Sequence, residues 1–516
     1  MNGADSLCDT LLANNVDVCF ANPGTSEMHF VAALDRKPQM RCVLGLFEGV
    51  VTGAADGYAR MADKPAATLL HLGPGLANGL ANIHNAKRAN TPMVNIVGEH
   101  ATHHIPYDAP LTSDIESLAR PMSHWVHRIT SAADVSSAAA EAISTASTPP
   151  GKIATLILPA DAAWDPAPTE IARAHIPQRA KADSAMVQAA AVVLRKAGRN
   201  TVILLSGVAL RGKALETVSR IARATGARIM AQQSNARMER GAGRVMIDRV
   251  PYSVDRAVAA FAETQHMILV GAKSPVAFFA YPGKPSSVLP PDCKVMEMAE
   301  PGDDIALALE MLADTLSIGR DILPDIGERS TIELPSGTLT PDAIAQTVAV
   351  LSPEGAIICD ETVSSGRDFF RPTYGAAPHD FLQITGGAIG LGLPLAAGAA
   401  IACPERKVIA LQADGSGMYT LQALWTHARE RLDIVTVIFA NRSYAILHNE
   451  LKMVGAGEPG HNARRMLDLD DPAIDWVKLA NGAGVEAARA SDAKTFSDLL
   501  RNALTRKGPF LIEALI

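Results

Sequence analysis

The 516-residue chain has little of several features that mark other classes of protein. Its six cysteines are scattered and form no Cys-x-x-Cys pair, which is typical of reduced core thiols rather than of zinc sites or disulfides. The net charge is only −7, and no charge block or basic patch is suited to nucleic acid. Acidic Asp5 and Asp9 stand where a signal peptide would be basic, so we expect a cytoplasmic protein.

The sequence also lacks a dinucleotide-binding motif and a strongly hydrophobic span, which argues against two further classes of protein. No Gly-x-Gly-x-x-Gly follows an amino-terminal strand with an acidic residue downstream, which argues against a nucleotide-dependent dehydrogenase. The stretch 381–404 is long enough to cross a bilayer, but its glycines and central proline make it a poor hydrophobic span. We therefore expect no membrane partner.

Hydrophobic residues are abundant, at 48% of the chain, and can fill several cores. Strand-like runs alternate with helical segments throughout, a pattern typical of α/β layers. Stretches from Leu158 to about Ala182 and from Leu323 to Pro341 are rich in proline and lack a sustained period, as linkers do. We predict three α/β domains with doubly wound parallel sheets, over residues 1–165, 183–323 and 341–516.

Polar residues follow two short apolar strands near the carboxyl end of the chain. Asp414 follows the first strand and Asn441 the second, with an amphipathic helix from Leu421 to Arg431 between them. The two strand ends lie side by side in such a unit, so these residues converge, and their oxygens suit Mg²⁺. Gly415 and Ser416 suit a phosphate, because amides at a helix start face an anion. An Asp-Gly turn can equally serve only as a turn.

This segment resembles the cofactor motif of thiamine diphosphate enzymes, whose metal ligands stand 27 residues apart, as Asp414 and Asn441 do. Ala413 and Ala440 replace a glycine and an asparagine of that motif, and neither position carries a ligand in the family. The resemblance implies that Mg²⁺ binds Asp414, Asn441 and the backbone carbonyl of Ser443. It also implies cofactor contacts at Ser364, Gly415, Ser416 and Tyr444.

A second match lies far upstream, in Phe47-Glu48-Gly49 and the run Gly-Ala-Ala-Asp-Gly-Tyr-Ala-Arg that ends at Arg60. In thiamine diphosphate decarboxylases and acetolactate synthases, a glutamate opens such a stretch and hydrogen-bonds the cofactor pyrimidine. The resemblance implies that Glu48 does so here and promotes the imino form of the cofactor. Taken alone, Glu48 could equally be a glutamate that a helix dipole favours.

A glycine-rich run ending at Pro394 lies between these motifs and resembles the family segment that bends the cofactor. The resemblance implies that Ile389 separates the two cofactor rings, which holds the amino group near the reactive carbon. It also implies that the carbonyl of Gly387 accepts a hydrogen bond from that amino group. Without the resemblance, the run is typical of a buried helix.

Two amino-terminal segments resemble the active site of benzoylformate decarboxylase. They are Asn22-Pro-Gly-Thr-Ser-Glu27, with Thr25 at a substrate-carboxylate position, and Leu70-His-Leu-Gly-Pro-Gly75, with His71 at a catalytic position. His71 alone could equally be a core histidine. The resemblance implies decarboxylation of a 2-oxo acid through a C2 adduct and an enamine. The alternative is an acetolactate synthase-like transfer of the enamine to a second carbonyl compound.

Several positions depart from the decarboxylase pattern. Phe278 stands where the decarboxylase has a second catalytic histidine, and an apolar wall there favours a second carbonyl acceptor. Glu99 replaces a glutamine, and Leu447 replaces a pyruvate decarboxylase glutamate. His100, His103 and His104 cluster beyond Glu99 without a carboxylate or cysteine partner that would suggest a metal site.

The resemblance also implies an assembly. In the family, a first domain that binds the pyrimidine and a third domain that binds the diphosphate enclose each cofactor from two different subunits. A homodimer is therefore the minimum, and a homotetramer is predicted. FAD, which acetolactate synthases hold in the middle domain, is possible but is not indicated by the sequence.

Overall fold

The computed structural model describes residues 1–330, 332–367 and 369–516. They form three sheets dominated by parallel strands, each covered by helices. Residues on opposite faces of one strand enter different cores; in the strand Ala66–Leu70, for example, Leu69 packs into one cluster and Leu70 into another. Strands that are buried on both faces are continuous apolar runs, as in these sheets. The prediction of an α/β fold with three parallel sheets is confirmed.

The amino-terminal sheet has six parallel strands, and three of them, Ala66–Leu70, Met93–Glu99 and Ile153–Pro159, are buried along their whole length. Its elements are α1 (Gly3–Ala13), β1 (Val18–Asn22), α2 (Met28–Asp35), β2 (Arg41–Leu44), α3 (Glu48–Ala62), β3 (Ala66–Leu70), α4 (Leu72–Ala89), β4 (Met93–Glu99), α5 (Ile115–Ala119), β5 (Trp125–Arg128), α6 (Val135–Ser147), β6 (Ile153–Pro159) and α7 (Ala160–Trp164). The strand order is β2-β1-β3-β4-β6-β5.

The middle part of the chain forms a five-stranded parallel sheet. Its elements are α8 (Ser184–Ala197), β7 (Thr201–Leu205), α9 (Gly212–Thr225), β8 (Arg228–Ala231), β9 (Met238–Arg240), β10 (Asp248–Arg249), α10 (Val254–Phe261), β11 (His266–Val270), β12 (Lys294–Ala299) and α11 (Ile305–Thr315). The strand order is β10-β8-β7-β11-β12, so β9 lies outside this sheet.

The carboxyl-terminal sheet has seven strands. Its elements are α12 (Pro341–Leu351), β13 (Ala356–Glu361), β14 (His379–Gln383), α13 (Gly392–Ala402), β15 (Val408–Ala413), α14 (Asp414–Gly417), α15 (Ala423–Arg429), β16 (Ile434–Ala440), α16 (Ala445–Met453), α17 (His461–Leu467), α18 (Trp476–Gly482), β17 (Glu486–Ala490), α19 (Ala493–Thr505) and β18 (Phe510–Leu515). The order is β17-β18-β16-β15-β13-β14-β9, with β9 antiparallel to β14.

Strand β9 is the one antiparallel strand among the named strands of the described chain, and it comes from the middle part. Met238 pairs with Phe381 of β14, and the buried guanidinium of Arg240 lies 3.4 Å from the ring centre of Phe370. This strand ties the middle part to the carboxyl-terminal sheet. A three-residue strand is too short to show the alternation by which a strand is predicted.

The first predicted linker begins later than the sequence suggested. Leu158 and Pro159 complete β6, and the next five residues form α7. Alanine favours a helix and proline is tolerated at its start, which explains why a composition typical of linkers is compatible with order here.

Helices α3 and α13 pack together with their backbones in close contact. A Cβ on Gly57 would lie 2.1 Å from the carbonyl oxygen of Leu395, and one on Gly398 would lie 1.9 Å from that of Ala54. Only glycine permits so close an approach. The stretch 381–404 thus divides into β14, a loop and the 11-residue α13. None of the helices described in the structure is long and apolar enough to cross a membrane.

Candidate active site

His71 and Glu27 form a pair at the carboxyl edge of the amino-terminal sheet. His71 follows β3, and its Nδ1 lies 2.8 Å from Oε2 of Glu27. The Glu27 side chain is only 1% exposed, against 21% for His71. Burial raises the pKa of Glu27, while the hydrogen bond from His71 opposes that shift. A carboxylate can only accept, so the ionised Glu27 fixes the proton on Nδ1 and leaves Nε2 free to exchange protons.

Thr25 is exposed beside this pair. It begins a 3₁₀ turn that ends at Glu27, and the backbone N–H of Gly24 donates to Glu27 Oε2 at 2.7 Å. A Cβ on Gly24 would lie 2.1 Å from Nδ1 of His71, so glycine lets the turn approach the imidazole. The structure therefore brings the predicted residues Thr25 and His71 to one edge.

Glu48 begins α3 and is buried near the same edge. Its Oε2 accepts a hydrogen bond from Nδ2 of Asn78 at 2.9 Å. A Cβ on Gly75 would lie 2.9 Å from Oε1 of Glu48 and 3.2 Å from Cβ of His71. Glu48 and His71 are therefore neighbours across the first turn of α4.

The predicted metal ligands converge at the carboxyl edge of the third sheet. Ala413 pairs with Phe439, so Asp414 and Asn441 follow adjacent strand ends. Asp414 Oδ2 accepts from the backbone N–H of Arg442 at 2.7 Å, and Asn441 Oδ1 accepts from the N–H of Ser443 at 3.0 Å. Burial raises the pKa of Asp414, and the N–H groups of Arg442 and Gly415 oppose that shift.

The residues around this turn are close-packed. A Cβ on Gly415 would lie 2.4 Å from the Tyr444 ring, so the glycine admits the aromatic side chain predicted to contact the cofactor. Ser416 is buried, and its hydroxyl donates to the carbonyl of Ala413 at 3.2 Å. Ser364 follows β13, the strand beside β15, and is half-buried at the same edge. The structure thus gathers Ser364, Asp414, Gly415, Ser416, Asn441, Ser443 and Tyr444.

The loop of residues 386–391, here called the glycine-rich loop, carries Gly387 and Ile389 and packs on α4. Asn85 Nδ2 donates to the carbonyl of Ala388 at 2.7 Å, and Asn82 Nδ2 donates to that of Gly390 at 3.1 Å. Gly387 has a φ of +79°, a left-handed conformation that glycine adopts without strain. Ile389 is half-buried.

Comparison with known proteins identifies the family. Residues 1–124 match the N-terminal TPP binding domain of thiamine pyrophosphate enzymes, and residues 370–514 match the C-terminal TPP binding domain. The chain is 51% identical to a Mycobacterium tuberculosis protein provisionally named acetolactate synthase large subunit IlvX, over 100% of this chain and 99% of that protein. The chain belongs to the thiamine pyrophosphate enzyme family. Thiamine pyrophosphate (TPP) and thiamine diphosphate are the same compound.

Two further relatives of this thiamine pyrophosphate enzyme bear on its chemistry. Benzoylformate decarboxylase of Pseudomonas aeruginosa is 29% identical, over 98% of this chain and 97% of that protein. The structure of a thiamine diphosphate-dependent 4-hydroxybenzoylformate decarboxylase from Rhodococcus jostii RHA1 matches with a TM-score of 0.86 and 25% identity, over 99% and 98% of the two chains. The protein is thus a thiamine diphosphate-dependent enzyme of the decarboxylase or acetolactate synthase type.

The donor set at the Asp414 turn suits Mg²⁺. A buried carboxylate, an amide oxygen and a backbone carbonyl are hard oxygen ligands, and a diphosphate with water can complete an octahedron around them. Among the residues that the structure describes, no three His, Cys, Asp or Glu side chains gather to hold a metal. A site with one carboxylate fits an ion that is also bound by a diphosphate.

The structure places four residues in this site that the sequence motifs do not mark as functional. They are Glu27, Asn78, Asn82 and Asn85. The three asparagines are spaced four and three positions apart, and such residues share one face of a helix. The spacing of the asparagines therefore indicates from the sequence that they share one polar face. The sequence carries no such indication for the pairing of Glu27 with His71, because 44 residues separate the two.

The structure shows what surrounds Phe278 and Glu99, which depart from the decarboxylase pattern, and the histidines beyond Glu99. Phe278 lies against the glycine-rich loop, since a Cβ on Gly387 would lie 2.9 Å from its Cζ. Glu99 is buried and pairs with Arg128 Nη1 at 2.9 Å, so its charge is neutralised within the chain. His103 and His104 are exposed, and the His100 and His104 rings lie 5.5 Å apart.

Proposed function

We propose that this protein is a thiamine diphosphate- and Mg²⁺-dependent decarboxylase of 2-oxo acids. The observation that carries the proposal is the pairing of His71 with the buried Glu27 beside Glu48. A histidine whose Nδ1 is held by a carboxylate presents Nε2 to a reacting group in a fixed orientation. Proton delivery is what separates release of an aldehyde from transfer to a second carbonyl compound.

In this proposal, some residues hold the metal ion and the diphosphate, and others contact the cofactor rings. Asp414, Asn441 and the carbonyl of Ser443 hold Mg²⁺, while Ser364, Gly415, Ser416 and Tyr444 surround the diphosphate. Convergence of these residues after β13, β15 and β16 supports the assignment. Ile389 and the carbonyl of Gly387 contact the cofactor rings. The domains proposed for these ends are residues 1–165 for the pyrimidine and 341–516 for the diphosphate, with 183–323 between them.

When bound, thiamine diphosphate supplies the carbon nucleophile and the electron sink for loss of CO₂. Glu48 shares a proton with the pyrimidine ring, and burial of its carboxylate keeps competing water away. The Thr25 hydroxyl holds the substrate carboxylate. His71 Nε2 gives a proton to the carbon that has lost CO₂, and the negative charge of Glu27 stabilises the protonated ring before that transfer.

We also propose that the enzyme is at least a homodimer and forms a homotetramer. The support comes from the resemblance to thiamine diphosphate enzymes, in which the pyrimidine end and the diphosphate end of each cofactor meet two different subunits. A partner subunit that brings its own Glu48 to the loop would complete each site.

Carboligation is the second candidate function. Phe278 supports it, because an aromatic ring rather than a second histidine lies against Gly387 and cannot relay protons. The 51% identity to a protein provisionally named as an acetolactate synthase supports it as well. In this version the chain directs the reacting carbon to a second carbonyl compound instead of protonating it.

Product analysis tests the proposal. The purified protein is incubated with Mg²⁺, thiamine diphosphate and a panel of aliphatic and aromatic 2-oxo acids, and CO₂, aldehydes and coupled products are measured. We expect CO₂ release that Glu48→Gln slows on the order of a hundredfold or more. Equal rates for the two proteins, or no CO₂ from any acid, would reject the mechanism. Coupled products without aldehyde would select carboligation.

A further inference from the structure

Glu361 is a buried carboxylate that has no role in the mechanism above. It ends β13 and is 1% exposed. Its Oε1 accepts from the backbone N–H of Gly390 at 2.5 Å, and its Oε2 accepts from the N–H of Gly392 and from Nε2 of Gln412, the latter at 3.2 Å. The donors in these hydrogen bonds are uncharged amides.

The two backbone donors lie where the glycine-rich loop meets α13, with Gly390 in the loop and Gly392 at the start of the helix. Gly390 directly follows Ile389, and its carbonyl oxygen is also fixed, by Asn82 Nδ2 at 3.1 Å and by Thr420 Oγ1 at 2.9 Å. Gly390 has a φ of +96°, and a Cβ there would lie 2.6 Å from Cβ of Tyr419. Glu361 therefore holds the loop where its backbone takes a conformation that is open only to glycine.

The side chain of Gln412 connects the same carboxylate to the turn Asp414–Gly417, here called the diphosphate turn. Gln412 lies on β15, two residues before Asp414, and its Nε2 also donates to Oγ of Ser416 at 2.5 Å. Gln412 is fully buried, and its Oε1 has no partner among the described residues. Its orientation is therefore set by the acceptors of Nε2, which are Glu361, Ser416 and, at 3.4 Å, the carbonyl of Ala413. One carboxylate thus joins the segment assigned to the cofactor rings to the segment assigned to its diphosphate.

We propose that Glu361 is a positioning residue that fixes the glycine-rich loop, and with it Ile389, relative to the diphosphate turn. This inference rests on the proposed function in assigning the cofactor to these two segments. The three N–H donors converge on two oxygens, which only an acceptor-only side chain of this length satisfies. Glutamine would turn an N–H toward one of the donors, and aspartate is one methylene too short to reach both segments.

The electrostatics are compatible with this role. Burial raises the pKa of Glu361 to about 7, while the N–H groups of Gly392 and Gly390 oppose that shift. Donors directed at both oxygens favour the ionised form. Above that pKa the carboxylate is ionised, and its charge is held by the amides of Gly390, Gly392 and Gln412.

Ligand binding to the full-length protein separates positioning from general stability. Glu361→Gln is compared with wild type and with Asp360→Asn, a matched control. Asp360 is the preceding buried carboxylate on β13, and its Oδ1 accepts from the N–H and hydroxyl of Thr362, which an asparagine oxygen can still do. Two probes are titrated by calorimetry with Mg²⁺ present: thiamine diphosphate, which has rings, and inorganic pyrophosphate, which has none.

We expect E361Q to weaken thiamine diphosphate binding about ten- to a hundredfold, the loss typical of one charge-assisted hydrogen bond. Pyrophosphate binding should change less than about threefold, because pyrophosphate has no rings for the glycine-rich loop to contact. The near-ultraviolet circular dichroism of bound cofactor should differ from wild type in E361Q and match it in D360N. Glu361→Asp should behave like E361Q and serves in its place if E361Q does not fold.

Equal losses for both probes, no loss for either, or the same loss in D360N would overturn the proposal. So would unfolding of both Glu361 variants without ligand while D360N folds, because that result assigns the carboxylate to general stability. None of these measurements depends on turnover. A wild-type protein that binds thiamine diphosphate but releases no CO₂ contradicts the proposed reaction and leaves the Glu361 test intact.

Discussion

The most informative single substitution is Glu27→Gln. In the wild type, Oε2 accepts from the N–H of Gly24 at 2.7 Å and from Nδ1 of His71 at 2.8 Å. The glutamine carbonyl oxygen can take the same position and keep both hydrogen bonds. The substitution therefore removes the negative charge beside the imidazole and places the glutamine amide at the buried position of Oε1, which has no partner among the described residues.

The magnitude follows from that change. A hydrogen bond to a charged group contributes about 1.5–3 kcal/mol, and a neutral one about 0.5–1.5 kcal/mol. The protonated His71 thus loses about 1–2 kcal/mol of stabilisation, which corresponds to a rate reduced roughly 5- to 30-fold. Removal of the imidazole in His71→Ala should cost on the order of 10²- to 10⁴-fold, as for a general acid.

The assay is kcat/KM for CO₂ and aldehyde formation from the best 2-oxo acid of the panel, with thiamine diphosphate affinity measured on the same samples. Glu99→Gln is the control, since Glu99 is also buried at this edge but pairs with Arg128. We expect E99Q to stay within about threefold of wild type, because its charge does not touch His71. A wild-type rate for E27Q, or an equal loss in E99Q, would refute the reasoning.

Three further predictions concern other parts of the structure. Asp414→Asn removes the charged metal ligand and one of the two hydrogen bonds that Asp414 accepts from the N–H groups of Gly415 and Arg442. Mg²⁺-dependent cofactor affinity should therefore fall at least about a hundredfold in calorimetry, and an unchanged affinity contradicts the metal assignment. Phe278→His restores an imidazole beside Gly387 and should raise the ratio of aldehyde to coupled product in chromatography, whereas an unchanged ratio would remove Phe278 from the product decision. Asp56→Asn removes the carboxylate that pairs with the buried guanidinium of Arg60 at 2.6 Å, and should lower the free energy of unfolding in denaturant by about 3–5 kcal/mol. A loss below about 1 kcal/mol contradicts this prediction, and a double variant with Arg60→Met should recover part of the loss.

Local patterns in the sequence predicted much of the fold and of the candidate site. The strand ends before Asp414 and Asn441 were predicted because two apolar runs flank one helix, and adjacent parallel strands place such ends together. The predicted helix between them starts at Leu421, and the observed α15 covers Ala423–Arg429, a difference within the usual uncertainty of helix ends.

The features that were not predicted depend on contacts between distant segments. Glu27 meets His71, Glu361 meets Gly390, and β9 joins β14 across more than a hundred residues. Neither Glu27 nor Glu361 has a periodicity or motif that reveals its partner. A buried carboxylate can be recognised as functional only when the groups that face it are known.

A crystal structure of the assembled protein with Mg²⁺ and thiamine diphosphate tests the central claim most directly. We predict a cofactor whose diphosphate and metal ion contact Asp414 and Asn441 of one protomer, and whose pyrimidine ring accepts a hydrogen bond from Glu48 of the other, with Ile389 between the rings. A cofactor bound elsewhere, or one whose pyrimidine lies beyond hydrogen-bonding distance of every Glu48 in the assembly, would contradict the account.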